Sequence, residues 1–276
     1  MVNEQQKAFW SGQGGQNWVK KKATIDDMLS PFGIDAMKQL NLTSQSHVLD
    51  IGCGSGESTF QIAEYLSDTG SVTGIDISEP LLALANEQNK HNNVSFIHAD
   101  MQKQELPSTV YTHAFSRFGV MFFENPIEAF QNINTALKTN GRLSFICWQS
   151  PQKNLWQTLV MKEVSAFISL PNTDSKAPGP FAFGDKSYIF DILSAAGFRN
   201  ISIEAYEKDV VIFKNYSTED AVKEMLLLNP SLDFLKEHPH EIQEKIKTAV
   251  TTAYDNYKVD NGFQFPSSAW MVLADK

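Results

Sequence analysis

The chain has 276 residues, of which 42% are hydrophobic, and 32 acidic against 23 basic side chains leave a formal charge of −9. That apolar content supports a buried core in one large or two small domains, whereas the acidic balance works against a phosphate-backbone partner unless a local basic patch overrides it. The only basic run, Lys20-Lys21-Lys22, reads as a solvated helix face, with no stripe of arginine and aromatic residues beside it.

The N-terminal "MVNEQQKAFW" lacks the basic-then-apolar pattern of a leader, and no stretch approaches about 18 consecutive apolar residues. The expected location is therefore cytoplasmic, without membrane insertion. Cys53 and Cys147 are the only cysteines. They fall on the first and fifth predicted strands, which should not be sheet neighbours, so no disulfide is expected, and two thiols cannot hold an iron–sulfur cluster unaided.

Through the first 150 residues, apolar runs alternate with helix-period segments, which predicts a parallel sheet with helices on both faces. "HVLDIG" (47–52) is the first strand, followed by a helix from about Ser58 with Thr59, Ile62, Ala63 and Leu66 on one face. "SVTGIDI" (71–77) is the second strand, and Ser78 can cap the next helix with Pro80 in its first turn. "NVSFIHAD" (93–100) and "YTHAFS" (111–116) are the third and fourth. Asn125-Pro126 starts a helix with Phe130, Ile133 and Leu137 inward, and Asn140-Gly141 turns the chain into "RLSFICW" (142–148).

Beyond residue 150 helices outnumber strands. Trp156, Leu159, Val160 and Val164 mark one helix, and the Pro- and Gly-rich stretch 169–185 is too long for a simple connection, the character of a lid. A helix over 186–196 ends at Gly197, and 201–213 alternates like a strand. Ser217 and Asp220 resemble a capping box, Ile242, Ile246 and Val250 mark a further helix, and "SAWMVLAD" (268–275) reads as a last strand. With no repeat and no linker, a single domain is the economical organisation.

The chemistry concentrates in "VLDIGCGSGEST", at the first strand-to-helix turn. In an open parallel sheet, ligands bind at the carboxyl ends of strands, and glycines there let backbone approach a ligand or take φ values other residues resist. A lone glycine turn can equally serve helix–strand packing. Two more acids follow in strand order: Asp76 ends the second strand, where a carboxylate can accept from both ribose hydroxyls, and Asp100 ends the third. A nicotinamide dinucleotide would want G-x-G-x-x-G and a pyrophosphate at the helix start. Here the spacing is Gly52-x-Gly54-x-Gly56, and Glu57 and Asp50 would repel a pyrophosphate but suit a cation.

"VLDIGCGSG", with "GIDIS", "HADMQ", "FSRFGVMFF" and "GRLSFICW" in that order, resembles the class I S-adenosylmethionine-dependent methyltransferases. The stretch 116–126, "SRFGVMFFENP", resembles the subgroup akin to ubiquinone and menaquinone C-methyltransferases. The resemblance implies an α/β, Rossmann-like, open and mostly parallel sheet with an antiparallel last strand and extra helices forming a lid. The expected layout is an N-terminal helical lid segment over 1–43, a cofactor-binding core over 44–150, and substrate-lid helices and closing strands over 151–276. By position, Gly52, Cys53, Gly54 and Gly56 would lie along the methionine and ribose, with Asp50 near the methionine amino group. Asp76 would hold the ribose, with Ile77 against the adenine; Asp100, with Met101 beside it, would accept from the adenine amino group; Ser116 and Arg117 would close over the methionine end. Trp10 and Trp18 would belong to a segment folded over the cofactor.

The implied activity is methyl transfer from S-adenosylmethionine to an oxygen, nitrogen or carbon of a small, partly apolar acceptor, leaving S-adenosylhomocysteine. A sulfonium methyl is already electrophilic, so alignment and exclusion of water carry the reaction, and no metal is called for; no short metal motif occurs. Phe118, Met121, Phe122, Phe123, Trp148, Phe181 and Phe183 are the candidate acceptor-pocket residues. No general base is assigned: His113 falls inside a strand, and Glu124, His238 and His240 read as surface groups. The alternatives are a sensor or scaffold that binds the cofactor without using it, and a nucleic-acid methyltransferase, which the missing basic stripe disfavours. Oligomeric state and acceptor identity stay open.

Overall fold

This computed structural model describes residues 3–170, 174–228 and 230–276. Among them the strands are, in chain order, β1 (His47–Ile51), β2 (Ser71–Asp76), β3 (Val94–His98), β4 (Tyr111–Arg117), β5 (Leu137–Trp148), β6 (Arg199–Glu207), β7 (Val210–Ile212), β8 (Lys258–Val259), β9 (Gly262–Phe265) and β10 (Ser268–Asp275). The helices are α1 (Glu4–Ser11), α2 (Gln13–Lys20), α3 (Lys22–Lys38), α4 (Glu57–Ala63), α5 (Glu79–Gln88), α6 (Pro126–Ala136), α7 (Leu155–Ser165), α8 (Lys186–Ala195), α9 (Thr218–Leu228) and α10 (His240–Asp255).

Two compact units form. The first holds residues 1–150, 175–206 and 269–276, the second 151–174 and 207–268. The first is built on a seven-stranded sheet in the order β3-β2-β1-β4-β5-β10-β6, with β1 parallel to β2 and β4 and β10 antiparallel to β5. β1 lies inside this sheet, and Val48, Leu49 and Ile51 are buried without polar alternation, the pattern of a strand covered on both faces. This is the Rossmann-like, mostly parallel sheet with an antiparallel strand that the family resemblance implied. Cys53 and Cys147 are free and buried, on chain segments separated by β4.

Local chemistry explains most of the element boundaries. Asn125 caps α6 by accepting from the Glu128 amide, Pro126 stands where no amide donor is needed, and Ala129, Phe130 and Ile133 bury against the sheet. The expected turn at Asn140-Gly141 lies inside β5 instead: Asn140 takes φ 63°, and the β4–β5 register shifts between Tyr111 and His113, so the strand starts five residues early. The single strand expected over 201–213 divides into β6 and β7, which join different sheets.

In the second unit, α7, α9 and α10 accompany a three-stranded sheet in the order β7-β9-β8. Ser217 accepts from the Asp220 amide at 3.1 Å, the N-cap half of the capping box, while the Asp220 carboxylate accepts from the Ser217 hydroxyl. Of the stretch 169–185, residues 171–173 lie outside the described residues.

Candidate functional site

The carboxyl ends of β1 to β4 open into a cleft of about 740 Å³, solvent included, within the first unit. Its floor starts at Gly52, which sits at φ 66° and faces Gly119 after β4: a Cβ on Gly52 would stand 2.8 Å from the Gly119 Cα. Two strand ends therefore meet backbone to backbone. Ser116 seals the junction, donating to the Ile51 carbonyl at 2.8 Å and accepting from the Gly119 amide at 3.2 Å. A Cβ added at Gly54, which sits at φ 55°, would meet only a Leu81 methyl at 3.9 Å, so this backbone borders open cleft space.

Asp76 lines the cleft at the end of β2. Its Oδ2 accepts from the Gly54 amide at 2.7 Å and its Oδ1 from the Ser78 amide at 2.8 Å, so the carboxylate is fixed to the glycine turn itself. Burial raises its pKa, against the backbone amides of Ser78, Gly54 and Ile77, which favour the charged form. Ser78 stands at the N-cap of α5, but its hydroxyl donates to the Trp10 carbonyl at 2.7 Å rather than capping the helix. Asp100, beyond β3, accepts from the Gln102 amide at 3.0 Å through Oδ1 and from the Asn3 side-chain amide at 3.3 Å through Oδ2. Ile77 and Met101 line the cleft beside these two acids.

The N-terminal helices bring a second wall. Trp10 packs edge-on against Trp18 at 5.2 Å and against Phe122 at 5.1 Å, and all three line the cleft. The Trp10 indole donates to Gln6, another lining residue. Arg117 closes the far side: it donates to Asp26 of α3 at 3.0 Å, in a cluster with Lys22 and Glu57. Burial pushes the Asp26 carboxyl up, but hydrogen bonding to Glu57 and the charges of Arg117 and Lys22 outweigh it and hold the group below its usual value. The Arg117 Nη1 is buried without a hydrogen-bond acceptor. Phe118 adopts φ 58°, a costly conformation for a large side chain, and stacks on Trp148 at 4.3 Å while lining the cleft.

Several residues expected at the site stand elsewhere. Asp50 is fully buried behind the turn, where its Oδ2 accepts from the Ser58 and Thr59 hydroxyls at 2.7 and 2.6 Å; burial pushes its pKa up to about 6. Cys53 points into the core, Gly56 at φ 84° starts α4 against Phe60 and Phe96, and Ser116 is consumed in the Gly52–Gly119 junction. Met121 is buried and its sulfur accepts from the Trp148 amide at 3.4 Å. Trp148 supports Phe118 from behind, Phe183 packs with Phe130 and Phe145 in the core, and Phe181 does not line the cleft.

His113 is a strand residue whose ring meets the Thr112 hydroxyl, and burial lowers its pKa. Phe123 lines the cleft as expected, and Asn3, Gln6, Leu81, Ala99 and Gly119 line it unanticipated. Of these only Gly119 carried a sequence signal, a glycine two residues past a strand end. Among the described residues, no three His, Cys, Asp or Glu side chains converge as around a metal, and no helix is long and apolar enough to cross a membrane.

Comparison with known proteins agrees with this geometry. Residues 48–141 match the family described as a methyltransferase domain. The demethylmenaquinone methyltransferase of Staphylococcus aureus strain JH9 is 24% identical over 226 residues, 75% of this chain and 93% of that protein. A Bacillus halodurans protein described as a methyltransferase superposes with a TM-score of 0.56 at 20% identity, covering 88% of this chain and 97% of that one. The Haemonchus contortus phosphoethanolamine N-methyltransferase 2, solved with S-adenosyl-L-methionine, gives 0.54 at 17% identity over 89% of this chain and 52% of that one. The glycine turn, the acids at successive strand ends and the matched region coincide: residues 48–141 match a methyltransferase domain, and the fold is one shared with these solved structures.

Proposed function

We propose that the cleft holds S-adenosylmethionine and presents its methyl group to a small, partly apolar acceptor. The observation that carries this reading is the Asp76 carboxylate, locked to Gly54 and Ser78 with lone pairs left to face the cleft. A rigid acceptor at that place matches a pair of ribose hydroxyls. Asp100 then takes the adenine end between Ile77 and Met101, and Gly54 lets the chain pass close to the ligand. The Arg117 Nη1, buried without a hydrogen-bond acceptor and with the Glu57 carboxylate 4.0 Å away, fits a carboxylate at the methionine end.

The bound sulfonium supplies an electrophilic methyl, and the residues here have to bind, orient and keep water out. Trp10, packed against both Trp18 and Phe122, centres an aromatic wall that excludes water. Phe118, Phe122 and Phe123 make the apolar surface on which the acceptor aligns, and Trp148 holds Phe118 in place. Such alignment can supply on the order of 7–11 kcal/mol of barrier reduction.

Incubation with methyl-labelled S-adenosylmethionine and fractionated small metabolites, followed by mass spectrometry, tests the proposal. The expected result is a small apolar or aromatic product heavier by one labelled methyl. Binding of S-adenosylhomocysteine with no labelled product from any fraction would favour a sensor, and label in nucleic acid would contradict the small-molecule acceptor.

A further inference from the structure

Asn3 occupies the N-cap of α1 at φ 65°, yet its side chain makes no capping hydrogen bond. The side chain turns away from the helix into the cleft, where Nδ2 donates to Asp100 Oδ2 at 3.3 Å. That bond fixes which way the amide points, because the reversed amide would set its oxygen against the carboxylate. The Oδ1 is therefore directed away from Asp100. It is buried without any hydrogen-bond partner, in a residue only 5% exposed. The main chain of Asn3 is held independently: its amide donates to the Glu124 carboxylate and its carbonyl accepts from the Lys7 amide at 2.9 Å. A buried acceptor with no donor is costly, and one held in place at the rim of a ligand cleft is an acceptor waiting for a ligand donor.

We infer that Asn3 is a second reader of the adenine amino group, working beside Asp100, so that the N-terminal helix both covers the nucleoside and checks its base. The inference rests on the proposed cofactor site. An exocyclic amino group has two hydrogens; the Asp100 carboxylate takes one and Asn3 Oδ1 the other. Two acceptors, one for each hydrogen, accommodate an amino group and reject a 6-oxo base, which would present a third acceptor to them. Ordering of α1 is thereby tied to the identity of the base, since the same residue starts the helix and meets the ligand.

The test is calorimetric titration of the wild-type chain and of Asn3→Gly with S-adenosylhomocysteine and with its 6-oxo analogue, S-inosylhomocysteine. Glycine keeps the left-handed φ without strain and is tolerated at an N-cap, so the variant removes the amide while sparing α1. Asn3→Gly should bind S-adenosylhomocysteine about tenfold more weakly, in line with one lost hydrogen bond, and should bind the 6-oxo analogue no worse than the wild type, so that discrimination narrows. Unchanged S-adenosylhomocysteine affinity, or an equal loss for both ligands, overturns the role of Asn3. Failure of the wild type to bind S-adenosylhomocysteine at all would instead overturn the cofactor reading. Circular dichroism of both proteins shows whether α1 is retained, and Asn3→Asp gives a second handle: it keeps an acceptor but sets a carboxylate against Asp100, so it too should weaken binding.

Discussion

Asp76 and Asp50 show how two carboxylates on neighbouring strands can come to opposite fates. Asp76 is fixed by two amides at the cleft, and charged-acceptor hydrogen bonds contribute about 1.5–3 kcal/mol each. Asp76→Ala should accordingly weaken S-adenosylhomocysteine binding by at least roughly tenfold in calorimetry, while the ligand-induced rise in melting temperature largely disappears. An unchanged affinity would reduce Asp76 to a brace for the glycine turn. Asp50 was read as a ligand contact because it stands beside the glycines, and sequence spacing cannot show that Ser58 and Thr59 fold back over it. Its folded pKa of about 6 lies above the 3.8 of an ordinary aspartate, so the folded chain holds this proton more tightly than the unfolded chain. Stability from this group is therefore lost as pH rises between about 4 and 6, by roughly 3 kcal/mol at 1.36 kcal/mol per unit, and is level above that. Urea midpoints of the wild type should fall relative to those of Asp50→Asn across that window, whereas parallel curves would refute the buried, raised carboxyl.

At the scale of elements, the N-terminal helices are the part on which the cleft most depends. α2 sits against α5 at Gly15, where an added Cβ would lie 2.0 Å from the Trp10 carbonyl and 2.7 Å from the Ser78 hydroxyl. Gly15→Val should push α2 off this seat and take Trp10 and Trp18 from the cleft wall. The sheet does not rely on that contact, so the expected pattern is a large loss of S-adenosylhomocysteine affinity with little change in the main unfolding transition. Limited proteolysis offers the complementary view: cleavage near residues 11–22 should slow markedly in the wild type when S-adenosylhomocysteine is added and stay fast in the variant. Equal digestion with and without ligand would show that these helices do not respond to the cleft. The sequence supplied Trp10 and Trp18 by resemblance, but not Asn3 or Gln6, because isolated polar residues in an N-terminal helix carry no periodic or motif signal. The β8–β9 hairpin did have one, the Asn261-Gly262 pair, whose strands are too short for alternation to register.

Over the whole molecule, the legible features were those that repeat or must obey backbone geometry. Apolar strand runs, the Asn125-Pro126 helix start and the order of acids at strand ends all followed from local rules and reappear in the sheet. Side-chain direction did not follow. Seven aromatic and methionine residues looked alike as pocket candidates, yet Phe118, Phe122 and Phe123 face the cleft while Met121, Trp148 and Phe183 support it or fill the core, a division set by tertiary packing. Likewise, the alternation over 201–213 was real, but it belongs to two strands in two sheets. The account as a whole rests on a nucleoside held by Asp76 in a cleft whose turn lacks the dinucleotide spacing. Calorimetric titration of the wild-type chain with S-adenosylhomocysteine and, separately, with NADH tests this most directly. The account predicts saturable binding of one S-adenosylhomocysteine per chain and no detectable heat from NADH; tight NADH binding without S-adenosylhomocysteine binding would contradict it.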